Sequence, residues 1–177
     1  DHEIISSIAS SKGFDEAYVE NVLNHYDWKS MPLSYGNSFA YAANMKSNQT
    51  ELRALQKKVI EQIGKSGKNC VIVGRNADVI LKDCKPLNLF VCADMETKVK
   101  RCIERRRTGE DDSKKTMEEK IRNIDRVRAQ TRAWYTDIPW GQREAYHLTV
   151  NTSEISIKDL AQMIADFSEK WFDKNME

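Results

Sequence analysis

The sequence predicts an α/β fold in which a parallel β-sheet is covered by helices on both faces. Three short apolar runs, residues 70–73, 87–92 and 146–150, have the length and β-branched content of buried strands. Stretches with helical spacing of apolar residues separate these runs. Strands that alternate with helices are joined by right-handed crossovers, which produce a parallel sheet between two helical layers. We therefore expect a three-layer arrangement in a single domain over residues 1–177.

Two short helices are predicted at the start of the chain. An apolar stripe marks the first of them: Ile4, Ile5 and Ile8. Gly13 suits the left-handed residue that ends a helix, and Asp15 suits the cap that begins the next one. Residues 28–48 lose this periodicity, and the presence of Pro32 and Gly36 in them predicts an irregular loop or short irregular helices.

Further helices are predicted between and after the apolar runs. The helix before the first run is marked by apolar residues three or four positions apart: Leu52, Leu55, Val59 and Ile63. Asp94 suits the cap of a helix after the second run, and residues 157–171 form an amphipathic helix after the third. Sheets of this kind usually carry about five strands. Either an irregular segment hides strands, or the chain lacks N-terminal strands.

The charge balance and the short apolar runs limit the partners and the location. Lysine and arginine number 28, and aspartate and glutamate 27, which gives a formal net charge of +1. No overall field would therefore draw the chain to nucleic acid or to an anionic membrane. The N-terminus shows no basic stretch followed by an apolar one, as a signal peptide would. We expect a cytoplasmic protein without a membrane partner, and nucleic acid is not an expected partner.

The cysteines and histidines do not have the spacing of metal ligands. The chain has four cysteines and three histidines, and they are scattered along the sequence. Cys70 and Cys92 fall inside apolar runs, which predicts buried and reduced thiols. We expect no metal site built from the side chains of this chain.

Candidate ligand-binding residues directly follow the apolar runs, because parallel sheets bind ligands at the carboxyl ends of their strands. Gly74 allows close backbone approach, and Arg75 can project a bidentate fork toward a phosphate. The alternative is an arginine that bonds nearby carbonyls or a carboxylate such as Asp78. For Asp94, which follows the second run, a role as a helix cap is favoured over a role in ligand binding. The third run is followed by three polar residues: Asn151, Thr152 and Ser153.

Residues 101–132, which lie between the second and third runs, carry eight arginines: Arg101, Arg105, Arg106, Arg107, Arg122, Arg126, Arg128 and Arg132. Helical spacing puts Asp125, Arg128 and Arg132 on one stripe of a helix and the pair Arg122 and Arg126 on another. A solvated, ion-paired helical hairpin is one interpretation. The choice of arginine over lysine favours the other, a mobile lid that closes over phosphates. The aromatic segment 134–141 either stacks on a base or packs the root of this lid.

Several motifs in order resemble the cytidylate kinase-like family, a branch of the P-loop nucleoside monophosphate kinases: Val71–Asp78, Leu89–Val91, Arg101, Asp125-Arg126-x-Arg128, Trp140-Gly141 and Tyr146–Ser153. The order and spacing carry the resemblance, not any single motif. It implies a P-loop kinase-like fold with a helical arginine-bearing lid. It also implies transfer of the γ-phosphoryl group of ATP, with Mg²⁺, to a pyrimidine nucleoside monophosphate such as CMP or dCMP.

The resemblance also implies roles for single residues. It assigns four residues to binding of the acceptor nucleotide: Gly74, Arg75, Asp78 and Asp1. Of these, Arg75 binds the monophosphate. It makes residues 28–48 the acceptor-side loop and residues 101–141 the lid region. In the lid Arg126 and Arg128 neutralise the transferring phosphates, and Asp125 orients them. Weaker members of the lid are Arg122 and Arg132. The nucleotide base region is Asn151, Thr152 and Ser153.

Two departures from the family pattern affect the expected activity. Asn76 stands where cytidylate kinases carry an acidic residue, which leaves the acceptor base open. The N-terminal strand and glycine-rich phosphate loop of the family have no counterpart in the sequence. Since that loop supplies much of the positioning and charge neutralisation in phosphoryl transfer, we expect this chain alone to be catalytically incomplete. The alternatives are a non-catalytic nucleotide-binding or interaction domain of the same fold, and an RNA-binding protein that uses the arginine hairpin.

Overall fold

The computed structural model describes residues 2–13, 15–24, 38–105 and 113–175. Its helices and strands in chain order are α1 (His2–Lys12), α2 (Glu16–Asn24), α3 (Ser38–Lys65), α4 (Ala77–Ile80), β1 (Leu89–Cys92), α5 (Met95–Glu104), α6 (Lys114–Arg132), β2 (Leu148–Asn151) and α7 (Ile157–Asn175). The chain divides into two compact units, Asp1–Pro86 and Leu87–Glu177. Each unit is described by itself, and a single domain over residues 1–177 stays a prediction.

The first unit is a cluster of helices around one apolar core. The buried residues come from α1, α2, α3 and the α4 region: Ile4, Ile5, Ile8, Ala9, Val19, Leu23, Leu52, Ile60, Ala77 and Leu81. Ile8, Leu52 and Ile60 are completely buried. Gly13 follows α1 with φ +68°, which confirms the predicted left-handed end of this helix.

Helix α3 begins earlier than predicted. It starts at Ser38, so the irregular loop or short irregular helices expected over residues 28–48 are wrong for residues 38–48. Ala40, Ala42 and Ala43 have the highest helix propensity, and this outweighs the polar and aromatic residues among them. Residues 28–37 lie outside the described part of the chain.

The first predicted strand does not form among the described residues. Residues 70–73 belong to no helix or strand, and Val71 and Val73 are 92% and 70% exposed. Ile72 alone packs against the helical core. The prediction of a buried strand here is wrong, because β-propensity produces a strand only where a neighbouring strand completes the ladder. Cys70 is exposed as well, so its predicted burial is also wrong.

The second unit contains a parallel pair of strands. Leu89 of β1 lies opposite Leu148 of β2, and Cys92 lies opposite Asn151. The parallel direction confirms the predicted connection through helices, and α5 and α6 lie between the two strands in the chain. The described residues form a two-stranded sheet, so the molecule is an α/β protein with a small parallel sheet.

Helices α5 and α6 pack on each other through Val99, Met117 and Ile121. The Asp94 carboxylate accepts a hydrogen bond of 2.7 Å from the Thr97 backbone N–H, which confirms its predicted role as the cap of α5. None of the helices in the described ranges is both long and apolar enough to cross a membrane.

Candidate functional site

Gly74, Arg75 and Asn76 form a left-handed turn that leads into α4. Their φ angles are +70°, +57° and +55°. Left-handed backbone costs an L-residue roughly 1–2 kcal/mol, but glycine adopts it readily and asparagine tolerates it. Arg75 has neither property, so its backbone is strained. Strain of this kind clusters at functional sites, which favours a functional role for this turn.

The Arg75 side chain is half-buried within the first unit. Burial lowers the pKa of its guanidinium, and the charge of Glu20 on α2 raises it again. A guanidinium stays protonated through such shifts, so the turn holds a partly desolvated cation. Asp78 is half-buried as well, and both it and Arg75 make polar or electrostatic contacts. Asp1, the remaining predicted acceptor residue, lies outside the described residues.

In the second unit Asp125 joins two cations. Its carboxylate accepts a hydrogen bond of 3.0 Å from the Arg128 guanidinium, one turn along α6. It accepts another, of 2.8 Å, from Nζ of Lys98 on α5. The predicted pairing of Asp125 with Arg128 is therefore present. Two positive charges share one negative charge here, which leaves a local net charge suited to anions.

The other predicted lid arginines lie in contrasting environments. Arg122 and Arg126 are exposed, and among the described residues the contact of Arg126 is a long hydrogen bond of 3.5 Å to Asn123. Arg132 is 3% exposed. Its Nε–H donates to the Ile138 carbonyl at 2.9 Å, and its guanidinium lies 5.6 Å from the centre of the Tyr146 ring. Arg132 thus holds the segment that follows α6.

The polar residues after β2 surround a buried threonine. Arg101 donates to the Thr152 hydroxyl at 2.8 Å and to the Thr152 carbonyl at 2.6 Å. Thr152 is 1% exposed, and its hydroxyl donates to the Cys92 carbonyl at 3.0 Å. These contacts make Thr152 a structural link between α5 and the carboxyl ends of both strands.

Asn151 and Ser153 lie beside this link and are more accessible. The Asn151 amide oxygen accepts from the Ser153 N–H at 3.0 Å and from its hydroxyl at 2.7 Å. The Ser153 hydroxyl also accepts a hydrogen bond of 2.8 Å from the Asp94 N–H. Thr97 is the main cause, through its backbone N–H, of a lowered pKa at Asp94, and the hydroxyls of Ser153 and Thr97 add to it. Asp94 is therefore ionised at neutral pH.

The sequence did not single out one residue of this site, Lys98, or two buried polar residues of α3. Lys98 meets Asp125 across 27 residues of sequence, and no local pattern reports such a contact. Arg53 and Gln56 are buried on α3, at 6% and 2% exposure. Their signal was available, since they fall on the apolar stripe of α3 between Leu52 and Ile60.

The described residues offer anion-binding groups and no metal cage. No three histidine, cysteine, aspartate or glutamate side chains come together as metal ligands in the described ranges. Magnesium usually binds through one or two carboxylates and the phosphates of a nucleotide, so it does not require such a cage. These groups can therefore bind phosphates directly. They suit a magnesium ion only when that ion is coordinated by the phosphates of a bound nucleotide.

One comparison with known proteins identifies a family, and another identifies a similar fold. The model of the cytidylate kinase-like family matches residues 1–154. No curated protein matches the chain. Among solved structures, the crystal structure of an uncharacterized protein from Eubacterium ventriosum ATCC 27560 matches with a TM-score of 0.61 and 22% sequence identity. The match covers 96% of this chain and 91% of that chain, and it shows a similar fold.

Proposed function

Because the chain belongs to the cytidylate kinase-like family, we propose that it is a nucleotide kinase-like protein whose acceptor is a pyrimidine nucleoside monophosphate such as CMP or dCMP. Its phosphoryl transfer requires a glycine-rich phosphate loop that these residues do not supply. The Arg75 turn is the observation that carries this proposal. A strained backbone holds a half-buried guanidinium directly after residues 70–73, which belong to no helix or strand. We place the protein in the cytoplasm, where nucleoside monophosphates and ATP are available, and we propose a P-loop kinase fold for it.

Arg75 is proposed to bind the acceptor phosphate. A phosphate monoester carries close to two negative charges at neutral pH, and a guanidinium can bind two of its oxygens in parallel. Partial burial strengthens this attraction because less water screens it. Gly74 has no Cβ to block the approach, and Asp78 follows on the first turn of α4. Asp1 remains a proposed acceptor-side residue.

The groups on α5 and α6 are proposed to act on the transferring phosphoryl group. Arg128 and Arg126 would neutralise the charge of the phosphates, and Asp125 would fix the orientation of Arg128. Cations held in place before the reaction need no reorganisation during it, which is the main source of catalysis in phosphoryl transfer. Arg122 is exposed on the same helix and adds to the positive potential, whereas Arg132 supports the fold.

Mg²⁺ and ATP are the proposed cofactor and donor. Mg²⁺ would enter with the ATP phosphates, and when bound it would add neutralising charge. Asn151 and Ser153 are proposed to contact a nucleotide base at the carboxyl end of β2. Thr152 is too deeply buried for such a contact, so its proposed role is to hold the two residues beside it.

Calorimetric titration with CMP tests the acceptor assignment. We expect the Arg75→Ala variant to bind CMP at least about tenfold more weakly, in line with the loss of a charge-assisted bidentate contact. Arg143→Ala is the matched control, because Arg143 is 87% exposed and pairs only with the neighbouring Glu144 among the contacts described. Its affinity for CMP should equal that of the wild type.

Equal CMP affinities of the wild type and Arg75→Ala would contradict the acceptor assignment, provided that the circular dichroism spectra agree. The absence of CMP binding in the wild type would contradict the proposed function itself. A non-catalytic nucleotide-binding domain also binds CMP. Transfer of radiolabelled phosphate from ATP, measured in a protein that carries a glycine-rich phosphate loop joined to this chain, distinguishes the kinase from it.

A further inference from the structure

The segment after α6 folds back onto β1 through one tryptophan. The Trp140 ring meets the Phe90 ring edge to face, with 5.3 Å between the centroids and an interplanar angle of 76°. Tyr146 lies against the same phenylalanine at 4.9 Å. Trp140 is thereby held by the sheet, and it is half-buried.

Gly141 makes this approach possible. Its φ of +80° is in the left-handed region, and a Cβ added there would lie 3.1 Å from Cζ of Phe90. Both the left-handed backbone and the close approach of the Phe90 ring therefore favour glycine. A fixed backbone at Gly141 in turn fixes the position of the Trp140 ring.

The fixed ring supports one of the proposed phosphate-binding arginines. The Arg128 guanidinium carbon lies over the Trp140 ring, 6.0 Å from its centre, which is at the outer limit of cation–π contact. On another side Asp125 accepts a hydrogen bond of 3.0 Å from the same guanidinium. Lys98 holds that carboxylate from α5. The flexible Arg128 side chain is thus confined between a ring and a carboxylate.

We propose that Trp140 is a positioning residue, which sets the Arg128 guanidinium in the orientation that receives phosphate oxygens. This rests on the proposed function of Arg128. A guanidinium has five N–H donors, and the bond to Asp125 uses one of them. Arg128 is 59% exposed, so donors remain accessible to an anion. Preorganisation reduces the side-chain entropy that binding would otherwise cost.

Arg126 provides an internal comparison for this role. It is exposed on the same helix, and its described contact is a hydrogen bond of 3.5 Å to Asn123. No aromatic ring is described over it in the part of the chain that the structure covers. A residue that positions Arg128 should therefore affect Arg128 and leave Arg126 unchanged.

Arginine-selective ¹H–¹⁵N NMR of the unliganded protein tests the positioning directly. The ring current of Trp140 should shift the Arg128 Nε–H signal upfield, and that signal is identified by its loss in Arg128→Lys. We expect Trp140→Leu to abolish the shift and Trp140→Tyr to retain most of it. The Arg126 signal should not move in either variant. An Arg128 signal that is the same in the wild type and Trp140→Leu would overturn the proposal.

Binding of tripolyphosphate tests whether the orientation matters for phosphates. We expect Trp140→Leu to weaken binding about tenfold and Trp140→Tyr to restore it. In an Arg128→Gln background, Trp140→Leu should have no further effect, since the ring would then have nothing to position. Phe172→Leu, at an aromatic residue of α7 that is 47% exposed, is the matched control and should bind as the wild type does.

The outcomes separate this proposal from the function on which it rests. Wild-type binding that is intact but insensitive to Trp140→Leu would overturn the positioning role and leave the proposed function standing. A wild type that does not bind tripolyphosphate would overturn the phosphate role of Arg128.

Trp140 also borders a shallow cleft of about 380 Å³ beside Asp137 and Pro139. Trp140→Leu could weaken CMP binding equally in the wild-type background and in the Arg128→Gln background. That result would show that the Trp140 ring stacks on the base in this cleft, and it would overturn the proposal.

Discussion

The middle and the end of α6 carry arginines that look alike in the sequence and differ in the structure. Arg126, near the middle, is exposed and is fixed only weakly. Arg132, at the end, is 3% exposed and lies between the Ile138 carbonyl and the Tyr146 ring. The difference arises after the helix, where the chain folds back over Arg132 and leaves Arg126 uncovered.

This comparison shows that an arginine-rich helix is not one functional unit. A buried guanidinium that donates to a carbonyl is part of the structure, because its removal would break that hydrogen bond and leave a cavity. An exposed guanidinium contributes little to stability and remains available for an anion. Arg128 lies between these cases, since it is exposed and yet held on two sides.

The largest expected effect is the loss of stability on removing the buried arginine. Arg132→Ala removes the hydrogen bond to Ile138 and the contact with Tyr146, and it leaves a cavity. We expect the free energy of unfolding to fall by about 2–4 kcal/mol. Urea denaturation monitored by tryptophan fluorescence measures this change.

Arg126→Ala is the control for that measurement. Its side chain is exposed on the same helix, so its free energy of unfolding should change by less than about 0.5 kcal/mol. Equal effects of the two substitutions would remove the distinction between the covered end and the open middle of α6.

The next effect concerns the glycine that fixes the covering segment. Gly141→Ala adds a methyl group in left-handed backbone and against Phe90, so we expect a loss of about 2 kcal/mol in the free energy of unfolding. Gly67→Ala is the matched control. Gly67 has φ +70° and nothing within 4 Å of an added Cβ, so only the backbone cost of about 1 kcal/mol should apply. The difference between the variants measures the contact with Phe90, and no difference would mean that the segment yields.

A smaller effect is expected for phosphate binding by the open middle of α6. Arg126→Gln keeps the size of the side chain and removes its charge. We expect it to weaken tripolyphosphate binding about twofold to fivefold, as for an exposed ion pair, with a smaller salt dependence than the wild type. Calorimetry at two salt concentrations measures both quantities. Unchanged affinity at low salt would mean that this arginine belongs only to a solvated face.

Helix periodicity and capping made most of the helical fold predictable. Asp94 caps α5 as expected, and the apolar stripe of α1 is buried. The strand predicted at residues 70–73 was wrong because a strand depends on a partner strand, and a local sequence pattern does not show whether that partner exists. The run at 87–92 was predicted from the same signal and forms β1, since β2 completes its ladder.

The candidate site was predictable where neighbours in sequence are also neighbours in space. The contact between Asp125 and Arg128 follows from helical spacing. The contact of Lys98 with Asp125 joins two helices, and the burial of Arg132 depends on a later segment. The left-handed backbone at Arg75 could not be predicted, because arginine has no preference for that conformation.

The smallest expected effect tests whether exposure alone decides what a charge contributes. Asp94 is fully exposed, like Arg126, but it accepts a hydrogen bond of 2.7 Å from the Thr97 N–H. Its pKa is lowered, first by that hydrogen bond and then by the hydroxyls of Ser153 and Thr97. A carboxyl group whose pKa is lower in the folded state stabilises that state above its unfolded pKa, near pH 4. This stabilisation is lost as the pH falls through the pKa of the folded state.

We expect the melting temperature of the wild type to exceed that of Asp94→Ala by most at pH 7, with the difference shrinking below about pH 4. Thermal melts from pH 3 to pH 7 measure this, with Asp137→Ala as the exposed aspartate control, whose melting temperature should stay closer to that of the wild type throughout. A difference between wild type and Asp94→Ala that does not depend on pH would mean that the ionised carboxylate is not what caps α5.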